Sequence, residues 1–153
     1  MKPKKTVIIT GSSRGIGYEL VSLFSEAGYA VLALSRNTIP LTALKLKNVT
    51  VIPFDLENTE DYNKVESFVK KEWEQVNILI NNAGILINQP FSQTTIEDFK
   101  KVYNTNVFGL AELIRKLLPF IPTDGHVVNI SSMGGIQGSV KFAGLSAYSS
   151  SKG

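Results

Sequence analysis

The chain reads as a doubly wound α/β protein built on a five-stranded parallel sheet, and three features point there. Short, continuous apolar runs recur along all 153 residues. Segments with apolar residues at helical spacing lie between them. A glycine-containing turn, Thr10-Gly11-Ser12-Ser13-Arg14-Gly15-Ile16-Gly17, joins the first apolar run to the first helical segment. Strands covered on both faces lose the polar alternation of half-exposed strands and read as unbroken apolar runs. Helices alternating with such strands carry the chain back across the sheet, which makes neighbouring strands parallel. Those crossovers are right-handed, and the predicted strand order is 3-2-1-4-5.

The elements follow in order. Thr6-Val7-Ile8-Ile9-Thr10 is β-branched throughout and starts the sheet. The turn after it opens a helix from about Gly15 to Ala27, ending near Gly28. A strand feeding such a turn brings bare backbone N–H groups and the positive end of a helix dipole to one point, where a pyrophosphate can sit. Gly11 allows the tight turn, Gly15 lets phosphates approach the backbone, and Gly17 lets the helix pack close to the strand. The G-x-x-x-G-x-G spacing differs from the general G-x-G-x-x-G fingerprint, and a ligand-free strand-to-helix turn is the competing reading. Ala30-Val31-Leu32-Ala33-Leu34, Val49-Thr50-Val51-Ile52-Pro53, Asn77-Ile78-Leu79-Ile80-Asn81 and Val127-Val128-Asn129-Ile130 are the remaining strands. Asn58-Thr59-Glu60-Asp61 caps a helix that carries Val65, Phe68, Val69 and Trp73. Thr94-Thr95-Ile96-Glu97-Asp98 contains two overlapping capping boxes. It opens one long helix bearing Phe99, Val102, Val107, Leu110, Leu113, Leu117 and Leu118, ending near Pro119. Trp73 and these stripes are expected in the core. No repeat, low-complexity tract or linker interrupts the chain, so residues 1–153 read as a single dinucleotide-binding domain.

Composition narrows the class. Hydrophobic content of 43% with 19% charged residues fits a packed globule rather than a disordered chain. The net charge of +3 is spread out, apart from Lys2, Lys4 and Lys5 in the leader, and no basic stripe interleaves with aromatics. Nucleic acid is therefore not an expected partner. There is no cysteine, which removes disulfides and thiolate metal sites and fits a reducing cytoplasm. No apolar run approaches the roughly 18 residues that span a bilayer, and no signal-peptide pattern follows the leader. His126, the only histidine, has no second ligand in sight and reads as structural, so no metal is expected.

Five motifs line up along the chain: the Thr10–Gly17 turn, Asn81-Asn82-Ala83-Gly84, Asn106-Val107-Phe108-Gly109, Asn129-Ile130-Ser131-Ser132 and Tyr148-Ser149-Ser150-Ser151-Lys152. Together they resemble the short-chain dehydrogenase/reductase family. The resemblance implies a Rossmann-type fold and a nicotinamide-dependent oxidoreductase acting on a small-molecule carbonyl or alcohol. It also implies catalytic roles. Tyr148 would protonate the substrate oxygen, or take the hydroxyl proton in reverse. Lys152 would activate Tyr148 and hold the nicotinamide ribose, Ser132 would bond the substrate oxygen, and Asn106 would anchor a water beside Lys152. Physical chemistry agrees with the pairing. Residues four apart share a helix face, so Lys152 can sit beside Tyr148. Lowering a phenol from its ordinary value near 10 by ~3 units takes about 4 kcal/mol, the size of one ammonium's Coulomb term at ~4 Å and an effective dielectric of ~20. Ser131 is the alternative serine, because adjacent strand residues face opposite sides. Ser132 stands 16 positions before Tyr148, about three more than the family's usual spacing, and the glycine-rich stretch between them reads as a substrate-side loop.

For the cofactor, the resemblance assigns Gly11, Ser13, Arg14, Gly15, Ile16 and Gly17 to the phosphates. Asn82, Ala83 and Gly84 would lie along the fourth strand's end, with Tyr148 and Lys152 at the nicotinamide. An NAD site places an acid about 20 residues beyond the glycine turn. Here Ser35-Arg36-Asn37 stands in that place with no carboxylate. Arg36 can pair with a 2′-phosphate as a planar cationic fork, and Arg14 can reach the same group, so NADP is the expected cofactor. Asp55-Leu56 resembles the family's adenine-binding position, with a turn role for Asp55 as competitor. Asn81 is a candidate for stabilising the sheet. Ile85-Leu86-Ile87 and Phe91 are candidates for an apolar substrate wall or for anchoring their own loop. The family usually runs to about 250 residues. The chain is therefore expected to be the N-terminal portion of a longer enzyme that is a homo-oligomer when complete.

Overall fold

Five parallel strands form the sheet: β1 (Thr6–Thr10), β2 (Ala30–Ser35), β3 (Val49–Pro53), β4 (Ile78–Asn81) and β5 (His126–Asn129). Their order is β3-β2-β1-β4-β5, the order expected of a doubly wound sheet. The computed structural model describes residues 5–153, so Lys2 and Lys4 of the basic leader lie outside the described residues. The register places Ile8 opposite both Leu32 and Leu79, and Ile9 opposite Ala33 and Ile80.

Period-two alternation then sorts the side chains between two cores. Val7, Ile9, Val31, Ala33 and Ile80 face one side, packed with Val21 and Leu41. Those two come from α1 (Gly15–Glu26) and α2 (Ile39–Ala43). Ile8, Leu32, Leu34 and Leu79 face the other side, against Val65, Val69, Trp73, Leu113 and Leu117. Val65 lies on α3 (Thr59–Phe68), which Asn58 caps by accepting from the Glu60 N–H at 3.1 Å. Leu113 and Leu117 lie on α5 (Leu110–Leu117). Helices on both faces make the sheet doubly wound and bury β1 completely.

Four features depart from the sequence expectation, the first being that the helix after Asn58 ends at Phe68 and passes into a π-helical turn over Val69–Trp73. The five-residue α2 has no apolar repeat long enough to announce it; one buried residue, Leu41, seats it. The long helix is interrupted. It starts as α4 (Ile96–Tyr103), widens into a π-helical turn over Asn104–Gly109, and resumes as α5. Of the two possible capping boxes, the one formed pairs Thr95 with Asp98. The wider turn brings Thr105, Asn106 and Gly109 inward together, a use that π turns often serve at sites. Leu118, expected in the core, is 60% exposed. It opens the tight 3-10 turn Leu118–Phe120, one position round from the buried Leu113–Leu117 stripe. The last helix, α6, covers Ser146–Ser151.

Candidate active site

The carboxyl ends of the strands and the loops beyond them enclose a cavity of about 650 Å³. Its first wall is the turn after β1, contributing Gly11, Ser13, Arg14, Gly15 and Ile16. Gly11 has φ +64°, and a Cβ there would lie 2.7 Å from the Ala83 Cα. Only glycine serves a position that combines left-handed backbone with so close a neighbour. At Gly17 a Cβ would collide with the Gly11 carbonyl and lie 2.6 Å from Asn82 Nδ2, so the helix seats directly on the turn. The turn is also tied down. Ser12 Oγ donates to the Leu34 carbonyl at 3.0 Å, and Asn82 Nδ2 donates to the carbonyls of Thr10 (3.2 Å) and Gly11 (3.0 Å). Thr10 Oγ1 accepts from the N–H groups of Asn82 (3.1 Å) and Ala83 (3.0 Å). The side chain of Asn82 is therefore a clamp between β1 and β4, while its backbone faces the cavity.

Helix α1 begins without a side-chain cap. Arg14 occupies the cap position in extended backbone (φ −162°, ψ 166°), and no acid sits in the first turn. The leading N–H groups and the positive end of the dipole are thus aimed at the cavity without a side-chain acceptor. Gly15 has nothing within 4 Å of where a Cβ would stand, so the floor there is open.

Leu34, Ser35, Arg36 and Asn37 at the end of β2 form the next wall. Arg36 and Arg14 are both exposed at the rim. Phe54, Asp55 and Leu56 follow β3. Asp55 does take a turn role: its Oδ1 accepts from the Glu57 N–H at 3.0 Å, while its own N–H donates to Asp61 Oδ2 at 2.9 Å. Burial alone would push the Asp61 carboxyl up, but hydrogen bonds from Lys64 and Asp55, with the Lys64 charge, hold it below the usual carboxylate range. Tyr62 Oη donates to the Leu56 carbonyl at 2.5 Å and lies 3.1 Å from that of Gly109. It ties the cavity edge to the π-helical turn. Asn82, Ala83, Gly84 and Ile85 follow β4, and Thr105 closes the wall from the π-helical turn.

Ser132, Tyr148, Lys152 and Asn106 are not among the lining residues, and of the four Lys152 and Asn106 reach the cavity wall, at Gly84. Lys152 Nζ donates to the Ile130 carbonyl at 2.8 Å and lies, like Asn106 Oδ1, 3.3 Å from where a Gly84 Cβ would be. Burial draws the Lys152 ammonium below the usual lysine value. The Asn106 amide is held by the Ile85 backbone, accepting at 2.8 Å and donating at 3.0 Å, and donates again to Ser151 Oγ at 2.9 Å. Ser131 Oγ donates to the Lys152 carbonyl at 2.5 Å. Ser132 Oγ accepts from the Gly134 N–H at 3.2 Å, which leaves its own proton for another acceptor. Asn81 Nδ2 donates to Asn129 Oδ1 at 2.9 Å, joining β4 to β5. The Lys152 N–H pairs with the Ser149 carbonyl, so α6 closes on a tightened turn.

Gly17 lies beneath the turn rather than on the cavity. Leu34, Asn37, Phe54 and Thr105 are cavity residues that the sequence reading missed. Proximity to Ser35-Arg36, Asp55-Leu56 and Asn106 is the signal that would have found them.

Residues 5–153 match the family model described as short chain dehydrogenase. A ketoacyl reductase of Nostoc sp., HetN, is 34% identical, the alignment covering 97% of this chain and 53% of that protein. The NADP-dependent 3-hydroxy acid dehydrogenase YdfG of Salmonella typhi is 30% identical over 95% of this chain and 60% of its own. Among solved structures, a short-chain dehydrogenase from Streptomyces avermitilis superposes with a TM-score of 0.87 at 35% identity, over 97% of this chain and 55% of that one. The chain spans roughly half the length of the curated relatives it matches.

Proposed function

The chain belongs to the short-chain dehydrogenase/reductase family, and from that premise we propose that residues 1–153 are one dinucleotide-binding domain of an NADP(H)-dependent oxidoreductase of carbonyls or alcohols. The observation that carries this reading is the cavity at the carboxyl ends of the strands, walled by an uncapped helix start and rimmed by two arginines. Its volume of about 650 Å³ falls in the ordinary range of ligand sites. The open floor at Gly15 and the bare N–H groups fit a pyrophosphate.

When bound, the nicotinamide ring carries the hydride to or from the substrate carbon. The chain's residues do the rest. The first turn of α1 binds the pyrophosphate, with Ser13 and Ile16 beside it. Arg14 and Arg36 bind the 2′-phosphate, with Ser35 next to them, and Asp55 and Leu56 flank the adenine. The backbone of Asn82, Ala83 and Gly84 lets the cofactor lie close to the end of β4. Ser132 donates to the substrate oxygen and orients it; Ser131 is spent on the Lys152 carbonyl. Tyr148 delivers the proton to that oxygen in reduction and takes it in oxidation. Lys152 binds the ribose and favours the phenolate, and Asn106 keeps a water beside Lys152. The relative named as NADP-dependent supports the cofactor choice. No helix among the described residues is long and apolar enough to cross a membrane. A cytoplasmic enzyme that is a homo-oligomer when complete remains part of this reading.

Titration with NADPH and NADH, followed by fluorescence, tests the reading. NADPH binds at least ~10-fold tighter, and Arg36→Asp raises its Kd ~10–100-fold while changing that for NADH by less than ~3-fold. NADH binding as tightly as NADPH overturns the cofactor choice. A second reading, nucleotide binding without turnover, is favoured by Lys152 Nζ resting on the Ile130 carbonyl. Carbonyl-dependent loss of reduced-nicotinamide absorbance separates the two.

A further inference from the structure

Between Ser132 and α6 the chain holds a lysine that none of these steps uses. Lys141 Nζ donates to the Gly134 carbonyl at 2.8 Å, the Ile136 carbonyl at 2.7 Å and Ser139 Oγ at 2.9 Å. All three partners are neutral, so the ammonium is folded into its own loop rather than set on a carboxylate. Ser139 Oγ in turn lies 2.5 Å from the Met133 carbonyl and 2.8 Å from that of Ile136. Ammonium and hydroxyl together gather the carbonyls of Met133, Gly134 and Ile136 towards one point. Carbonyl dipoles converging in this way repel one another unless donors or a cation stand among them.

Gly134 links this knot to the site. Its N–H donates to Ser132 Oγ and its carbonyl accepts from Lys141. It is buried, and a Cβ there would lie 2.7 Å from Ser149 Oγ on α6. The next residue, Gly135, is pressed against the Lys152 carbonyl. On one side, then, the two glycines are wedged against the helix that carries Tyr148. On the other, Gly134 is held by the Lys141 charge.

We propose that Lys141 is a positioning residue: by bonding the Gly134 carbonyl and the Ser139 hydroxyl that holds the Met133 carbonyl, its ammonium fixes the Met133–Gly134 peptide, whose N–H orients the Ser132 hydroxyl towards the substrate oxygen. The consequence for turnover rests on the proposed reaction; the contact itself does not. Lys141→Met keeps the stem and removes charge and donors, whereas Lys141→Arg keeps both. In the full chain, Lys141→Met should speed hydrogen exchange at the Gly134 and Gly135 amides ~10-fold or more, with the amides of β1 and α1 unchanged. In the same protein kcat should fall ~10-fold or more while KM for NADPH stays within ~2-fold, and Lys141→Arg should recover to within ~3-fold of wild type. Unchanged exchange at Gly134 overturns the proposal. So does faster exchange with unchanged kcat, which would make Lys141 a loop-shaping residue only. If the wild type shows no carbonyl-dependent turnover, the oxidoreductase reading fails instead. Exchange at Gly134 then decides the Lys141 contact alone.

Discussion

At the scale of single residues, Tyr148 and Gly17 make opposite demands on the same site, one chemical and one steric. Among the described residues the Tyr148 hydroxyl has no hydrogen-bond partner, whereas Ser131 and Asn106 are tied up in the frame. Removing that hydroxyl should spare cofactor binding and abolish proton delivery. Tyr148→Phe is expected to lower kcat by ~10²-fold or more with the NADPH Kd within ~2-fold, measured by pre-steady-state and fluorescence titration. Gly17 is constrained from two sides, by the Gly11 carbonyl and by Asn82 Nδ2, and the nearer obstacle is backbone. Gly17→Ala should therefore cost about 2 kcal/mol or more in denaturant unfolding, since neither the strand nor the clamp has room to yield. The sequence made the residue types at the turn, the end of β2 and the end of β4 readable, because small residues and cations at strand ends have few other uses. It did not show that Asn82 turns its amide back onto Thr10 and Gly11, or that Asp55 accepts from Glu57. An amide or carboxylate suits a clamp, a turn or a ligand equally well, and only the backbone's path decides among them.

At the scale of elements, the π-helical turn is the feature that periodicity could not reveal. Apolar residues at helical spacing continue from Val102 through Leu113, and one wide turn shifts their phase too little to show in a short stretch. Its cause lies elsewhere, in what it faces. A Cβ at Gly109 would stand 2.7 Å from the Leu56 carbonyl, and Tyr62 Oη bonds both that carbonyl and the one of Gly109. Tyr62 thus fastens the loop after β3 to the helix across the edge of the cavity. Tyr62→Phe leaves the Leu56 carbonyl short of its donor and should cost about 1–3 kcal/mol, while raising the NADPH Kd a few-fold through Leu56. The pH dependence gives an independent check. Burial, reinforced by the charges of Glu112, Asp55 and Glu57, pushes the Tyr62 phenol from 10.0 up to about 12. The folded state then holds the proton more tightly than the unfolded state does. Stability from this group is complete below pH 10.0 and falls as pH rises towards about 12. Urea melts at pH 9 and pH 11 should show a loss in the wild type that Tyr62→Phe lacks. The Thr95–Asp98 capping box before α4 was legible because Thr and Asp three apart have a local job that tertiary packing does not alter. Helix α2 was not, since five residues leave no period to read.

For the whole molecule, the strand order leaves β5 at one end of the sheet among the described residues. Among the described residues β5 pairs only with β4, and Val127 and Val128 remain 39% and 40% exposed. An apolar parallel edge of this kind is a template for another strand. The bonds already made show which side is open. The N–H groups of His126 and Ile130 donate to the carbonyls of Asn77 and Asn81, so alternation turns the N–H of Val127 away from β4. A polypeptide of these 153 residues should accordingly self-associate as concentration rises into the micromolar range, seen as a growing mass in light scattering after gel filtration. Val127→Pro removes the outward N–H while leaving the β4 ladder intact, because proline is tolerated where a strand's donor faces outward. It should shift the dissociation constant for self-association upward by ~10-fold or more, with the NADPH Kd unchanged because the cavity lies across β1, β2 and β4. Association of Val127→Pro at the wild-type concentration would place the contact elsewhere on the surface and return β5 to the role of a passive margin.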